Sequence, residues 1–229
     1  MGVTSRSAAH VEDTRRALMA AARELFATVG FQATLTEEIV RNAGLTRGAL
    51  YHHFRDKEDL FLAVFEEVAA EVEQSLVHRS SGPTSTNAWD LFQANSEVHL
   101  DAATQNAAYR QIVLIDGPSV MGWDAWSARR GGPLAKIAEY LEEAVSDGTL
   151  EPLPAEAMAH LLGAIGTGAV MYVAQAEDHV RARRDIELCN ERLLRGMVIP
   201  VDRPPVPAPL RSAPKPALKN RHTTRQGGH

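Results

Sequence analysis

Between residues 41 and 57 the chain carries four cations, Arg41, Arg47, Arg55 and Lys57, against one acid, Asp56. Tyr51, His52 and His53 lie among them, and Gly48 and Ala49 follow Arg47 directly. These groups donate hydrogen bonds, and no nucleophile stands paired with a base among them. An arginine offers a planar fork that matches guanine O6 and N7. Tyr51, His53 and Lys57 have polar tips suited to phosphate oxygens. Gly48 and Ala49 let the backbone approach a partner closely, and Ala49 can meet a thymine methyl. Nucleic-acid recognition is the chemistry this set performs. The other reading, a histidine metal pair, fails on geometry: adjacent helical residues diverge by about 100°. No further His or carboxylate cluster sits at ligand spacing, so no metal is expected.

Two short helices must position these groups. In "TLTEEIVRNAG" the pair Thr34 and Glu37 predicts a capping box, followed by a helix carrying Ile39, Val40 and Ala43 and stopped by Gly44. Thr46 is the expected N-cap of a helix over 47–53. Two short helices joined by "AGLT" are a helix-turn-helix, whose second helix enters a major groove. Leu50 is expected to point into the small core and Phe54 to pack under the next helix. Ahead of this unit, Ala17, Leu18, Ala21, Leu25 and Val29 predict a helix over 12–29, closed by Gly30. Behind it, Asp56 caps a helix with Leu60, Val64, Val68 and Val72 at four-residue spacing.

The remainder also reads as helices, over 88–103, 105–115, a short piece near 121–132, 133–148, 153–177 and 180–197. "DGPS" at 116–119 is an expected break. Strand alternation is missing. The fold class is therefore all-α, with an N-terminal helix-turn-helix domain over 10–58 and a second helical domain over 59–198. From Pro200 onward seven of the chain's 12 prolines fall within 17 residues, which predicts a disordered, proline-rich tail over 199–229. That tail holds six Lys/Arg (Arg203, Arg211, Lys215, Lys219, Arg221, Arg225) and one acid, in a chain whose net charge is −5. Its reading is a solvated tail, with a basic arm that attracts DNA nonspecifically as the alternative.

Apolar residues make up 45% of the 229, enough for a sizeable core. The single cysteine, Cys189, excludes a disulfide framework and a Cys-based zinc site. No apolar run reaches the roughly 18 residues of a membrane span, and "MGVTSRSAAHVEDTRR" has no signal-peptide core. The expectation is a cytoplasmic protein with no membrane partner. No nucleophile elbow, phosphate loop or paired carboxylates with a base occur, so neither enzyme nor cofactor is expected. A helical interaction module that binds no DNA is the rival class.

Residues 14–68, "TRRALMAAARELFATVGFQATLTEEIVRNAGLTRGALYHHFRDKEDLFLAVFEEV", resemble the N-terminal DNA-binding domain of the TetR (tetracycline-repressor-like) regulators. The resemblance is specific: "GF.AT..EEIV..AGLT" and "GALYHHFRDKEDL" occur in order and at the family's spacing. Leu35-Thr36 departs softly from the family pattern. The resemblance implies a homodimeric, all-helical repressor of a palindromic DNA operator, released by a small-molecule effector in the C-terminal domain. It implies DNA contacts at Thr36, Thr46, Arg47, Gly48, Tyr51, His53 and Lys57, with Arg6 in an N-terminal arm adding a weaker one. Activation instead of repression stays open.

The second domain carries no motif of similar strength. Trp123 and Trp126 are three apart and share a helix face. With Phe92, His99, Tyr109 and Met121 they are expected to line an apolar effector cavity; ordinary core packing is the alternative. "GAIGTGAV" places Gly163, Thr167 and Val170 near one face, and Leu161, Ile165, Leu193 and Leu194 supply apolar area for dimerisation.

Overall fold

The computed structural model describes residues 3–80, 88–130 and 134–197. Among them the regular structure is helical and no strand occurs. The order is α1 (Val3–Ala33), α2 (Thr36–Asn42), α3 (Arg47–His53), α4 (Lys57–Ser80) and α5 (Ala88–Gln105). A π-helical segment (Tyr109–Asp116) leads into α6 (Gly117–Met121), then α7 (Trp123–Arg130), α8 (Leu134–Ser146), α9 (Ala155–Gln175) and α10 (His179–Arg195). The tail, with the six cations named above, lies outside the described residues, as do residues 81–87.

Helical spacing explains the core. Leu18, Ala22 and Phe26 recur every four residues on α1, and Leu60, Val64, Val68 and Val72 do so on α4; all are buried. Phe26, Phe31 and Phe61 meet with ring centroids 5.0–5.8 Å apart. The same core cluster takes in Ile39 and Leu50 of the helix-turn-helix together with Tyr109, Ile112, Leu114 and Trp126. No packing break therefore marks residue 58, because α4 starts at Lys57 and carries one buried stripe through both halves. The described residues form one compact unit. A second cluster, Trp89, Phe92, Leu141, Ala144, Leu150, Ala159 and Leu162, sits among α5, α8 and α9. Arg183 binds α10 to α5 through Glu97 at 2.8 Å and Asp101 at 2.6 Å.

Several local expectations change. The first helix starts at Val3, so Arg6 belongs to a helix and not to an arm. Gly30, at φ 81°, interrupts α1 as a closing glycine does, yet the chain turns helical again to Ala33. Thr34 is not the cap of α2. It is buried, and its hydroxyl donates at 2.8 Å to the Gly30 carbonyl, which also accepts the Thr34 N–H at 3.3 Å. Leu35 takes the N-cap place with no side-chain bond, while the Glu38 carboxylate accepts from the Leu35 N–H at 3.5 Å. "DGPS" does not break the chain. The π-helical segment runs straight into α6, with Pro118 in the first turn of α6. Gly122, at φ 80°, makes the break instead.

The expectation that no membrane-length apolar run exists also changes. α9 has a mean hydropathy of 1.5 over an 18-residue window, so it is long and apolar enough to span a membrane; a third of that window is buried within the chain. Glycine and alanine make the stretch look weak, but almost no charge interrupts it.

The stripes of α9 also differ from the expected one. A Cβ on Gly163 would stand 2.8 Å from Leu134 Cδ2, and Val170 is buried, so both face inward. Leu194 likewise packs on the second cluster. The outward face is Leu161, Ala164, Ile165, Gly168 and Tyr172, a stripe in the i, i+3, i+4, i+7 pattern of one helix face.

Candidate nucleic-acid interface

The turn between α2 and α3 is closed by backbone bonds. Gly44 lies at φ 67°, which lets the Leu45 N–H reach the Val40 carbonyl at 2.8 Å. A Cβ at Gly44 would meet nothing within 4 Å, so the requirement is conformational only. Thr46 then accepts from the Ala49 N–H at 3.2 Å and starts α3. Leu50 is fully buried and Phe54 nearly so, which pins one side of α3 to the core. Arg47, Gly48, Tyr51 and His52 are left exposed, and His53 is half-buried.

Arg47 does not wave freely. Its Nη1 stands 2.9 Å from Glu37 Oε1, and its guanidinium lies 5.5 Å from the centre of the Tyr51 ring. Thr36 donates its hydroxyl to Glu37 Oε2 at 3.2 Å. The Glu37 carboxyl is held below its ordinary pKa by its own backbone N–H first, then by Thr36 and by Arg47. The exposed face therefore holds an ionised carboxylate inside a basic patch. Sequence spacing singled out Glu37 only as a helix cap and not as the partner of Arg47, which lies ten residues away on a different helix.

Gly48 meets only Thr46 Oγ at 3.8 Å from an added Cβ, so the chain itself leaves room for a side chain there. A need for glycine would come from what approaches it. Burial first, and His52 second, lowers the His53 pKa, so its imidazole is a neutral N–H donor at pH 7. Lys57 has a task inside the chain: its Nζ donates to the Phe31 carbonyl at 2.8 Å and to the Thr34 carbonyl at 3.0 Å. Only one of its three N–H groups is left for a phosphate. Its carbonyl partners lie 26 and 23 residues away in the chain, which spacing could not reveal.

The same corner is gripped from the C-terminal half. Asp116, the last residue of the π-helical segment, accepts from the Phe31 N–H at 2.8 Å. Residues 30–34, from the kink at Gly30 to just past the end of α1, are thus held by Lys57 on carbonyls of Phe31 and Thr34 and by Asp116 on the Phe31 amide. Asp116→Ala removes the acceptor of that amide. The expected outcome is faster hydrogen exchange at Phe31 by about 10-fold or more, with exchange in α9 unchanged; equal rates in the two proteins would remove Asp116 from the corner.

The six expected effector residues do not line one cavity. Trp126 is sealed in the main core, with Nε1 donating to the Val113 carbonyl at 2.6 Å, while Trp123, 4.9 Å away ring to ring, is exposed. Phe92 stacks on Trp89 in the other cluster. Tyr109 is buried and bonded to His99 Nδ1 at 3.2 Å. Met121 packs against the main core. The two rings are neighbours, yet Trp126 is 1% exposed and Trp123 57%, so adjacency along a helix does not set depth. A cleft of about 420 Å³ opens elsewhere, lined by Glu71 and Val72 of α4, by Val98, Asp101 and Gln105 of α5, and by Asn106. Both carboxylates there have arginine partners, Arg23 at 2.7 Å from Glu71 and Arg183 at 2.6 Å from Asp101. Among the described residues no three His, Cys, Asp or Glu side chains are grouped as metal ligands.

Residues 18–64 match the family described as bacterial regulatory proteins, tetR family, and residues 89–197 match the tetracyclin repressor-like C-terminal domain. A crystal structure of a TetR-family transcriptional regulator from Pectobacterium atrosepticum superposes with a TM-score of 0.69 at 28% identity, over 84% of this chain and 97% of that one. The transposon Tn10 TetC protein of Escherichia coli is 28% identical over 113 residues, 49% of this chain and 55% of that protein. The HTH-type transcriptional regulator AcrR of Shigella flexneri is 44% identical over 55 residues, 24% of this chain and 26% of that one. The matches therefore span about half, or a quarter, of these curated relatives.

Proposed function

From membership of the TetR family of DNA-binding transcriptional regulators, to which this chain belongs, we propose a homodimeric repressor of a two-fold operator, released by a small molecule. The observation that carries this reading is α3. One of its sides is locked into the core by Leu50, and the other presents Arg47, Gly48 and Tyr51 outward, with His53 at its edge. In this reading Arg47 reads a base. Tyr51, His53 and the remaining N–H of Lys57 take phosphates, as do Thr36 and Thr46 at the helix starts, and Gly48 lets the backbone come close. No catalysis and no cofactor are assigned, and the place of work is the cytoplasm.

Dimerisation is supported by what α9 and α10 leave uncovered. Leu161, Ile165, Tyr172, Leu188 and Leu193 are each more than two-fifths exposed in the single chain. An apolar face of that kind is normally covered, and a two-fold protein matches a two-fold operator. Small residues, Ala164 and Gly168, lie within the stripe and permit close helix approach. Ile165→Glu is expected to shift the chain from dimer to monomer in sedimentation at micromolar concentration, with operator affinity falling more than 10-fold. A variant that stays dimeric would move the interface elsewhere.

Release follows from shared parts. α4 carries Lys57 at one end and lines the 420 Å³ cleft with Glu71 and Val72 further along. An effector bound in the C-terminal half would tilt α4 or shift the π-helical segment, and both grip the 30–34 corner. The spacing of two recognition helices, roughly 34–36 Å on B-DNA, would then change. A ligand can do this only by its differential affinity for the two states. The test is selection of sheared genomic DNA by the purified full chain. A palindrome with half-sites one turn apart is expected; binding without sequence preference would transfer the reading to a helical interaction module.

A further inference from the structure

We propose that Glu37 is a specificity-determining residue of the DNA face: it reads a cytosine amino group beside the base read by Arg47, and it restrains Arg47 on all other DNA. The inference rests on the DNA-binding reading of α3. Its starting point is a contradiction in charge. A surface meant for phosphates gains from every cation and loses with every anion. Glu37 is an anion there, more than half exposed, ionised, and 2.9 Å from the side chain best suited to read a base.

Glu37 stands in the first turn of α2, where an anion is favoured and its own backbone N–H lowers its pKa, but that role requires no contact with Arg47. As an exposed ion pair it adds little stability. The cap of α2 is supplied by Glu38 through the Leu35 N–H, not by Glu37. Instead Glu37 is oriented by two neighbours on the same face: Thr36 donates to one oxygen, and Arg47 to the other. Arg47 in turn lies against the Tyr51 ring. The result is a donor fork and an acceptor carboxylate set side by side, a pattern that complements guanine O6 and N7 next to the N4 amino group of cytosine.

Two consequences follow from one geometry. On arbitrary DNA, Arg47 must leave Glu37 to take a phosphate, and the abandoned carboxylate then faces the backbone; nonspecific binding is weakened. On the matching site, Arg47 takes guanine and Glu37 takes cytosine, so neither charge is left without a partner. Discrimination comes from repulsion against wrong sequences as well as attraction to the right one.

The test is selection from a randomised duplex library by the full-length wild-type chain and by Glu37→Gln, followed by titration of a selected and an arbitrary duplex across salt. Glutamine keeps size and removes charge, and the site is exposed, so the variant folds. Relaxed preference is expected at one symmetric position of each half-site, with a roughly 5- to 30-fold loss of discrimination there. Affinity for the arbitrary duplex should rise, with a salt slope steeper by about 1 for each Arg47 released to a phosphate. An unchanged selected half-site would overturn the proposal, whatever happens to nonspecific affinity. A wild-type chain that enriches no sequence at all would overturn the DNA-binding reading itself, and so the two failures are distinct.

Discussion

Arg47→Ala is expected to weaken operator binding by roughly 2–6 kcal/mol for a dimer, while leaving thermal stability within about 0.5 kcal/mol. The two numbers separate because of where the side chain sits. Arg47 is 63% exposed, and its contacts are Glu37 and the face of Tyr51, both on the surface. Removing it from the free protein breaks an exposed pair worth little. In the proposed complex of a dimer with a two-fold operator, each subunit would lose a bidentate base contact of roughly 1–3 kcal/mol. Glu37 then faces the DNA without its cation, which adds to the loss. Fluorescence anisotropy on a selected duplex, beside a denaturation curve, measures both quantities. An affinity loss equal on selected and arbitrary DNA would reduce Arg47 to a phosphate contact and take base reading away from it.

Trp126→Ala is expected to be the most damaging single truncation for stability, at roughly 3–5 kcal/mol from lost packing alone. Trp126 is almost completely buried, and its ring fills the space beside Gly117, where an added Cβ would lie 2.8 Å from Cδ1. Its indole N–H also holds the Val113 carbonyl in the π-helical segment, at 2.6 Å. An orphaned buried carbonyl costs a further ~1–3 kcal/mol. Because Asp116 at the end of that segment grips the Phe31 amide, the α1–α2 corner should loosen as well. Trp126→Phe keeps most of the ring and loses the hydrogen bond, so it should cost less than alanine. Trp123→Ala, three residues away but exposed, is expected to stay within about 0.5 kcal/mol. Denaturant midpoints for the three variants decide the matter; similar losses at 123 and 126 would contradict the burial difference.

That contrast between two tryptophans shows how far the primary structure reaches. Residue order determined the all-helical class, because apolar side chains recur at helical spacing through α1 and α4 and glycines stand where helices stop. It determined α3 almost to the residue, since Thr46, Leu50 and Phe54 act through neighbours three or four positions away. Local hydrogen bonds and local periodicity are written in a short window, and a family motif rests on the same window. Tertiary structure decided everything that joins distant segments. Lys57 closes on carbonyls of Phe31 and Thr34, Asp116 on the Phe31 amide, and Glu37 on Arg47. Gly163 turned inward against Leu134 of α8 and Val170 into the main core, while Ile165 stayed out. The expected effector aromatics were scattered for the same reason. Spacing determines which residues share a helix face, but only the packing of helices against one another determines how deep that face lies and what it touches.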